Sequence, residues 1–168
     1  MNHVHHEFFL KAYTLKSLPR AGWIRAGIEH PESVAAHSWG LSLLISFLAP
    51  KHLNHLRMHH MAIAHDLPEV ITGDITPHDG ISKIEKKKRE TAAAQSFLPP
   101  HILKAWQEYE QNETLEAQFV HMLDKLDMAL QAQVYSKEAD TQEFIDSARP
   151  HIQQELLVLL DDLKSKIQ

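Results

Sequence analysis

Residues 31–48, PESVAAHSWGLSLLISFL, have the pattern of a helix with one buried face. The triplet Pro31-Glu32-Ser33 is typical of a helix start. An apolar stripe then recurs at spacings of three, four and seven residues, at Val34, Leu41, Leu44 and Leu48. His37 lies inside this stripe, where an unpaired imidazole would lose its hydration. The segment therefore predicts an amphipathic helix that carries a polar group into the core.

The rest of the chain is also predicted to be helical. Only five glycines occur in 168 residues, and no stretch alternates apolar and polar residues as a half-buried strand does. We expect an all-α domain of six or seven helices: residues 7–17, a helix from 31–33, one capped by Asn54 and ending near Pro68, residues 83–97, residues 102–109, one capped by Thr114 and reaching 137, and a last one after Pro150. The longest loop is expected at residues 72–80.

Three of these helices have a predicted inward face. The helix after Asn54 is expected to bury Leu56, Ile63 and Leu67. The helix after Thr114 is expected to bury Phe119, Leu123, Leu126, Leu130 and Val134. The last helix is expected to carry Ile152, Leu156, Leu159, Leu160 and Leu163.

Length, charge and cysteine content limit the possible classes of protein. The length of 168 residues indicates one domain, residues 1–168, with a few flexible residues at the N-terminus. The net charge of −5 means that the chain lacks the excess positive charge that would favour binding to a nucleic acid polymer or an anionic membrane. The chain has no cysteine, so any transition metal must be held by nitrogen and oxygen atoms. No apolar run is long enough to span a bilayer and no export signal is evident, so we expect a cytoplasmic protein.

Four polar side chains occupy positions that the helix pattern predicts to be buried. His37 interrupts an apolar stripe, and the pair His65-Asp66 lies at a helix end. Asp124 lies beside the apolar face of the long helix. Burying any of them alone is costly, and one divalent metal ion would satisfy all four. Two imidazoles and two carboxylates suit Mn, Fe, Co, Ni or Zn and are too rich in nitrogen for calcium.

Each of these residues also has a purely structural interpretation. His37 can be a hydrogen-bonded core histidine, and Asp124 can form a salt bridge on the helix surface. A His-Asp pair occurs by chance in many sequences. The order is more specific, because 28 residues separate His37 from His65 and 58 separate Asp66 from Asp124, all on predicted helices.

Five blocks of sequence extend this pattern: PRAGW at 19–23, PESVAAH at 31–37, HDLPE at 65–69, GDITP at 73–77 and LDKLD at 123–127. With these blocks the sequence resembles the HD-domain metal-dependent phosphohydrolases, named for the His-Asp pair. Within that family it looks most like the 5′-deoxynucleotidase group. The resemblance covers the chain from about Phe8 to Val134, with the blocks in the same order as in the family. The last helix resembles the family only in its general helical character and carries no matching motif. The resemblance implies a single all-α HD domain.

The resemblance also implies the composition of the site. His37, His65, Asp66 and Asp124 match the family's metal ligands, and one divalent ion bound there would lower the pKa of water and polarise a phosphoryl oxygen. Glu69 lies one helical turn after Asp66 and is assigned to activating the nucleophile.

Three further residues are expected to complete the site. Asp74 matches a family aspartate that positions the water or protonates the leaving oxygen. Arg20 is expected to bind the phosphate, and Trp23 to offer a flat wall to the sugar or base. The alternatives are structural: helix caps for Asp74 and Glu69, a surface ion pair for Arg20, and a core position for Trp23. The basic run at 83–89 predicts a solvated face, with Lys83 as a candidate for the phosphate entrance.

The function implied by the resemblance is hydrolysis of the 5′-phosphate of deoxyribonucleoside monophosphates to a deoxynucleoside and phosphate. One alternative keeps the metal site and changes the substrate to another nucleotide or phosphorylated metabolite. A second alternative is a metal-dependent nucleotide sensor without turnover, which Glu69 and Asp74 argue against because a pure binder needs no water-activating carboxylates. The expected partners are a small-molecule nucleotide and a second copy of the chain, in a homodimer formed through the leucine-rich last helix.

Overall fold

The computed structural model describes residues 3–161, with side chains from residue 6 onward. Within that range the chain contains no β-strand, and the predicted all-α class is confirmed. The helices are α1 (His3–Ala12), α2 (Ala21–Arg25), α3 (Val34–Leu48), α4 (His55–Ala64), α5 (Glu69–Thr72), α6 (Lys83–Phe97), α7 (Pro100–Gln111), α8 (Leu115–Tyr135), α9 (Gln142–Ala148) and α10 (Val158–Asp161). Short 3-10 helices cover Tyr13–Lys16, Arg149–His151 and Gln154–Leu156. None of the described helices is both long enough and apolar enough to cross a bilayer.

The predicted helix starts are confirmed where a side chain caps the first turn. Ser33 Oγ accepts a hydrogen bond from the Ala36 amide at 3.1 Å, and α3 begins at the next residue after Ser33. Asn54 Oδ1 and Thr114 Oγ1 cap α4 and α8 in the same way, each at 3.1 Å. These caps satisfy amide groups that the helix itself leaves unpaired. They therefore fix where the helices that carry the site begin.

The core lies between α3, α4 and α8, which pack against one another. Leu41 and Ile45 of α3 and Leu123 and Leu126 of α8 are fully buried there. Burying one such side chain contributes about 1.5–3 kcal/mol. His37 is on the same face of α3 as Leu41 and is also fully buried, so its imidazole enters the interior as predicted.

The inward face predicted for the helix after Asn54 is wrong at two of its three positions, and the helix itself, α4, ends at Ala64 instead of near Pro68. Leu56 and Ile63 are 67% and 53% exposed, whereas Leu67 is buried. Met58 and Met61 take the inward positions. Both sets have helical spacing, so periodicity could not separate them, and the contacts of α4 with α3 and α8 decide which set is buried. Val134 of α8 is 63% exposed because Ala132 and Tyr135 form the buried face at that end of the helix, where they pack in one cluster with Trp23 and Ile145.

The C-terminal segment differs from the single helix predicted after Pro150. The helix α9 precedes this proline, and Pro150 itself lies in the 3-10 helix Arg149–His151. Ile152 then adopts an extended backbone conformation, with φ −101° and ψ 134°, which interrupts the helix. Ile152 and Leu160 are nevertheless buried as expected. Leu163 and the first two residues of the N-terminus expected to be flexible lie outside the described residues.

Candidate metal centre

Three helices bring four donor side chains to one point, here called the donor cluster (His37, His65, Asp66 and Asp124). His37 comes from α3, His65 and Asp66 directly follow α4, and Asp124 lies near the middle of α8. His37 Nε2 lies 3.2 Å from His65 Nε2 and 3.0 Å from Asp124 Oδ1. Asp66 Oδ2 lies 3.1 Å from His65 Nε2 and 3.7 Å from His37 Nε2.

Three members of the donor cluster, His37, His65 and Asp124, have the spacing of a single divalent metal site, whereas Asp66 lies at its edge, 3.7 Å from His37 Nε2. Nitrogen and oxygen ligands bound to one ion at about 2.1 Å lie about 3.0–3.4 Å from each other. Three atoms of the cluster, from His37, His65 and Asp124, lie within 4.8 Å of one another and can hold an ion. Two imidazole nitrogens facing each other beside two carboxylates form a nitrogen and oxygen set that suits a divalent transition metal. The residues therefore fit the expected metal.

Both histidines are anchored through the nitrogen that faces away from the cluster. His37 Nδ1 lies 2.7 Å from Asp127 Oδ2, and His65 Nδ1 lies 2.9 Å from the carbonyl oxygen of Ala62. When these Nδ1 atoms donate, both Nε2 atoms are left as acceptors that point at the same position. Such anchoring fixes the tautomer and the ring orientation before a ligand binds.

The two carboxylates of the cluster are anchored as well. Tyr109 Oη donates to Asp124 Oδ2 at 3.4 Å, and Lys125 Nζ lies 3.4 Å from the same oxygen. Asp124 Oδ1 remains directed at His37. Asp66 Oδ2 lies 3.5 Å from Arg20 Nη1, so the predicted phosphate-binding arginine borders the cluster.

A glycine on α3 makes room for the carboxylate that anchors His37. A Cβ atom at Gly40 would overlap Asp127 Oδ1 and lie 3.1 Å from Asp127 Cγ. Any larger residue at this position would therefore push Asp127 away from the helix. The side chain of Asp127 is 13% exposed, so this contact is made largely inside the protein.

The charges within the cluster keep its two carboxylates ionised and favour a protonated His37, which has to release a proton before it can bind a cation. Burial raises the pKa of Asp124, but the hydrogen bond from His37 and the charge of Lys125 lower it well below its usual range. Burial likewise raises the pKa of Asp66, and the charge and hydrogen bond of His65 lower it. Burial and Arg20 lower the pKa of His37, yet its hydrogen bonds to Asp124 and Asp127 raise it to about 9. Without a metal ion, the two carboxylates are thus ionised and His37 carries a compensating proton.

Glu69 lies beside the cluster with one oxygen atom free. Its side chain is 5% exposed, and its buried Oε2 has no hydrogen-bond partner among the described residues. Burial raises the pKa of Glu69 well above its usual value, and the charges of Asp66 and Asp74 raise it further. Buried carboxyl oxygens are normally paired, so an unpaired one at a pocket indicates a group that acts on a ligand or on water.

A pocket of about 390 Å³ opens above the cluster and contains the remaining predicted site residues. Arg20, Trp23, Glu69 and Asp74 all line it. Asp74 Oδ2 accepts a hydrogen bond from the Ala21 amide at 2.8 Å, which ties the loop after α5 to the start of α2. Trp23 is only 1% exposed, and its Nε1 donates to Glu32 Oε1 at 2.9 Å.

The structure adds three residues to the site for which the sequence had predicted no role. Asp127 and Tyr109 hold His37 and Asp124, as described above. Lys86 lines the pocket, and its Nζ donates to the carbonyl oxygen of Ile75 at 2.7 Å, whereas Lys83 is exposed and outside the pocket lining. The signal for Asp127 was its position three residues after Asp124, on the same side of α8. Lys86 was hidden in a run of charged residues.

Known proteins share the sequence pattern and the fold of this chain. The HD domain family model matches residues 12–157. A Homo sapiens relative, 5′-deoxynucleotidase HDDC2, is 35% identical over 164 residues that cover 90% of this chain and 80% of the relative. A crystal structure from Pyrococcus horikoshii OT3 has a TM-score of 0.78 and 34% identity, covering 95% of this chain and 96% of that one. Another, a predicted metal-dependent phosphohydrolase from Magnetospirillum magnetotacticum MS-1, has a TM-score of 0.72 and 26% identity, covering 97% and 93%. Because the family match spans most of its length and the His65-Asp66 pair lies in its donor cluster, the chain belongs to the HD domain family.

Proposed function

We propose that this protein is a metal-dependent phosphomonoesterase that hydrolyses 5′-deoxyribonucleoside monophosphates to a deoxynucleoside and phosphate. The observation that carries the proposal is the convergence of the four donor atoms at a pocket that Arg20 also lines. A divalent ion held there supplies a Lewis acid for a phosphoryl oxygen and lowers the pKa of water. The choice of a 5′-deoxynucleotide as substrate is supported by the relatives named 5′-deoxynucleotidases.

Arg20 is proposed to bind the phosphate. Its guanidinium is 3.5 Å from Asp66 Oδ2, next to the donor cluster. Burial lowers the pKa of Arg20, but Asp66 and Asp74 raise it by more, so the group stays charged. A planar guanidinium presents two parallel donors to a phosphate, which fixes the orientation of the phosphoryl group as well as its position.

Glu69 and Asp74 are proposed to move the protons. Glu69 activates the attacking water, which is supported by its unpaired Oε2 at the pocket. Burial and the charges of Asp66 and Asp74 raise the pKa of Glu69, and perturbed carboxyl groups of this kind are typical of acid–base catalysis. Asp74, on the loop after α5, positions the water or protonates the leaving 5′-oxygen. Trp23 is proposed to support the wall next to the sugar or base.

The direct test is phosphate release by metal-stripped protein resupplied with Mn, Co, Ni, Zn or Mg one at a time. The substrates are 5′-deoxyribonucleotides, ribonucleotides, 3′-nucleotides and an aryl phosphate, and the matched control is the D66A variant. We expect metal-dependent release from 5′-deoxyribonucleotides by the wild-type protein only. Release solely from other substrates would keep the metal site and reject the nucleotide assignment, and binding without release would indicate a sensor.

We also propose that the protein is a homodimer. Trp39, Leu43 and Phe47 lie at successive turns of α3 and are 68%, 42% and 80% exposed. An exposed apolar stripe of this kind is typical of a contact between proteins. Within the described part of the last helix, the exposed large apolar residues are Val158 and Leu159, at 49% and 37%, which is a smaller apolar surface than the stripe on α3. The stripe on α3 is therefore the better-supported contact surface.

Light scattering after size exclusion tests the dimer. We expect twice the chain mass of 19.3 kDa for the wild-type protein and a shift toward the monomer for F47E. Ile84 is 84% exposed on α6, so I84E introduces the same charge elsewhere and serves as the control. A wild-type protein that stays monomeric at every concentration would reject the proposal.

We propose a cytoplasmic location, because a free deoxyribonucleoside monophosphate is a small metabolite of that compartment. Cell fractionation of the untagged protein tests it, with recovery outside the cytoplasmic fraction as the contrary result.

A further inference from the structure

We propose that Phe144 forms the wall of the subsite that holds the sugar and base of the nucleotide. This inference rests on the proposed function and names the part of the pocket that recognises the organic half of the substrate. It concerns a residue of α9, the helix that the sequence did not predict. The ligand class is a flat, largely apolar nucleoside group attached to a phosphate.

Phe144 is one of the aromatic residues that line the pocket, and it lies on the side of Trp23 and Met128, whereas Tyr109 and His121 stack on each other. Both Phe144 and Trp23 line the pocket, and their ring centroids are 4.3 Å apart at an angle of 44°. Trp23 is 1% exposed, whereas Phe144 is half-buried and keeps part of its surface free. Trp23 therefore supports Phe144 from behind, and a bound nucleoside contacts Phe144 itself.

The ring of Phe144 is held in place from several directions. Phe144 Cε1 would lie 3.2 Å from a Cβ atom at Gly22, so the ring packs tightly against the backbone of α2. The guanidinium carbon of Arg25 lies 5.5 Å from the ring centroid, and Arg25 Nη2 pairs with Glu143 Oε1 at 2.6 Å. A wall fixed in this way loses little conformational freedom when a ligand binds.

The position of this wall matches the shape of a 5′-nucleotide. Met128 also lines the pocket and follows Asp124 by one turn of α8, about 6 Å along the axis. The donor cluster and Arg20 therefore lie at one end of the pocket. Met128 and Phe144 form an apolar wall about one turn of α8 away from them. A 5′-nucleotide has the same order of groups, with phosphate at one end and the base beyond the sugar.

The test separates the two ends of the pocket with two probes. Calorimetric titration measures binding of inorganic phosphate and of a non-hydrolysable 5′-phosphonate analogue of thymidine to the metal-loaded protein. For F144A we expect the dissociation constant of the phosphonate to rise about tenfold, within the range for loss of base–aromatic stacking. The dissociation constant of phosphate should change less than twofold, and F144Y should restore binding of the phosphonate.

The control variant is F9A, which removes an exposed phenylalanine of α1 that does not line the pocket. Equal weakening of both probes in F144A, or no weakening of either, would overturn the inference. Failure of the proposed function looks different: the wild-type protein would release no phosphate from 5′-deoxynucleotides while still binding the phosphonate through Phe144. If the wild-type protein bound the phosphonate no more tightly than phosphate, the nucleoside group would contribute nothing to binding, and the proposed subsite would be rejected.

Discussion

Three of the four donor side chains direct one atom into the donor cluster and use a second atom for their own anchor. His37 is held by Asp127, His65 by the carbonyl oxygen of Ala62, and Asp124 by Tyr109. Because these contacts fix the side-chain rotamers, the donor atoms need little rearrangement when an ion binds. The donor cluster is thus organised by residues that do not themselves belong to it.

Asp66 and Glu69 should respond differently to substitution. We expect D66A to lose both bound metal and activity, because it removes a donor atom of the cluster. We expect E69Q to keep its metal and to lose turnover by about 10²–10⁴-fold, the usual contribution of a general acid or base. Metal analysis and phosphate-release kinetics on the same preparations measure both effects. An active E69Q enzyme would remove Glu69 from proton transfer.

Asp127 should control metal affinity without binding the metal. In D127N the anchor of His37 loses its charge, and we expect metal affinity to fall about 10–100-fold, as for other carboxylates behind a histidine ligand. Competition with a coloured chelator measures this affinity. Asp146 is exposed and accepts a hydrogen bond only from Gln142 among the described residues, so D146N is a matched control that should bind metal normally. Equal affinities for D127N and wild-type protein would contradict the anchoring role.

The sequence predicted the donor cluster but not its anchors, and the reason is physical. His37 could be found because a polar residue inside an apolar stripe has to be paired. Asp127 is also polar, but it falls at the edge of the apolar stripe of α8, where a solvated carboxylate is equally plausible. Its partner, His37, is 90 residues away in the chain, so no local sequence pattern could predict that contact.

The helix α3 performs two tasks on opposite faces. Its inner face carries His37 and Gly40 toward α8, and its outer face carries the exposed stripe of Trp39, Leu43 and Phe47. A glycine in a helix interior usually destabilises by about 1 kcal/mol relative to alanine. Here that cost is offset by the close approach of Asp127.

Substitution of Gly40 should therefore act on the metal centre. We expect G40A to lower metal affinity about tenfold or more and to lack the usual gain of about 1 kcal/mol in stability, since the new Cβ displaces Asp127. Thermal unfolding and chelator competition measure the two quantities. S46A changes an exposed position of the same helix and should leave metal affinity unchanged. A G40A protein that is more stable and binds metal normally would show that the glycine has no such role.

Helix starts were more predictable than helix faces. The starts of α3, α4 and α8 could be predicted from Ser33, Asn54 and Thr114. A capping side chain binds a backbone amide within the first turn, so the signal is local in the sequence. The buried face of α4 could not be chosen, because apolar residues with helical spacing occur on both sides of it, and neighbouring helices decide between them. The short helix α9 lacks a side-chain cap and has only seven residues, so its pattern is too brief to stand out.

The metal joins parts of the molecule that are distant in the chain, so its removal should lower global stability. A ligand that binds only the folded state stabilises it by about 2.7 kcal/mol at a concentration one hundred times its dissociation constant. We expect a chelator to lower the unfolding temperature of the wild-type protein and added metal to restore it. In D66A the chelator should have little effect. Equal unfolding temperatures with and without metal in the wild-type protein would contradict a structural contribution of the ion.

The distribution of the donors over α3, the end of α4 and α8 also bears on how the protein is made. A ribosome that has synthesised the chain through α5 has produced His37, His65 and Asp66 but not Asp124. The set becomes complete only when α8 has emerged and docked, since domains fold as units during synthesis. We therefore expect the metal to be acquired late in biosynthesis, because a chain arrested before α8 lacks Asp124, one of the four proposed ligands.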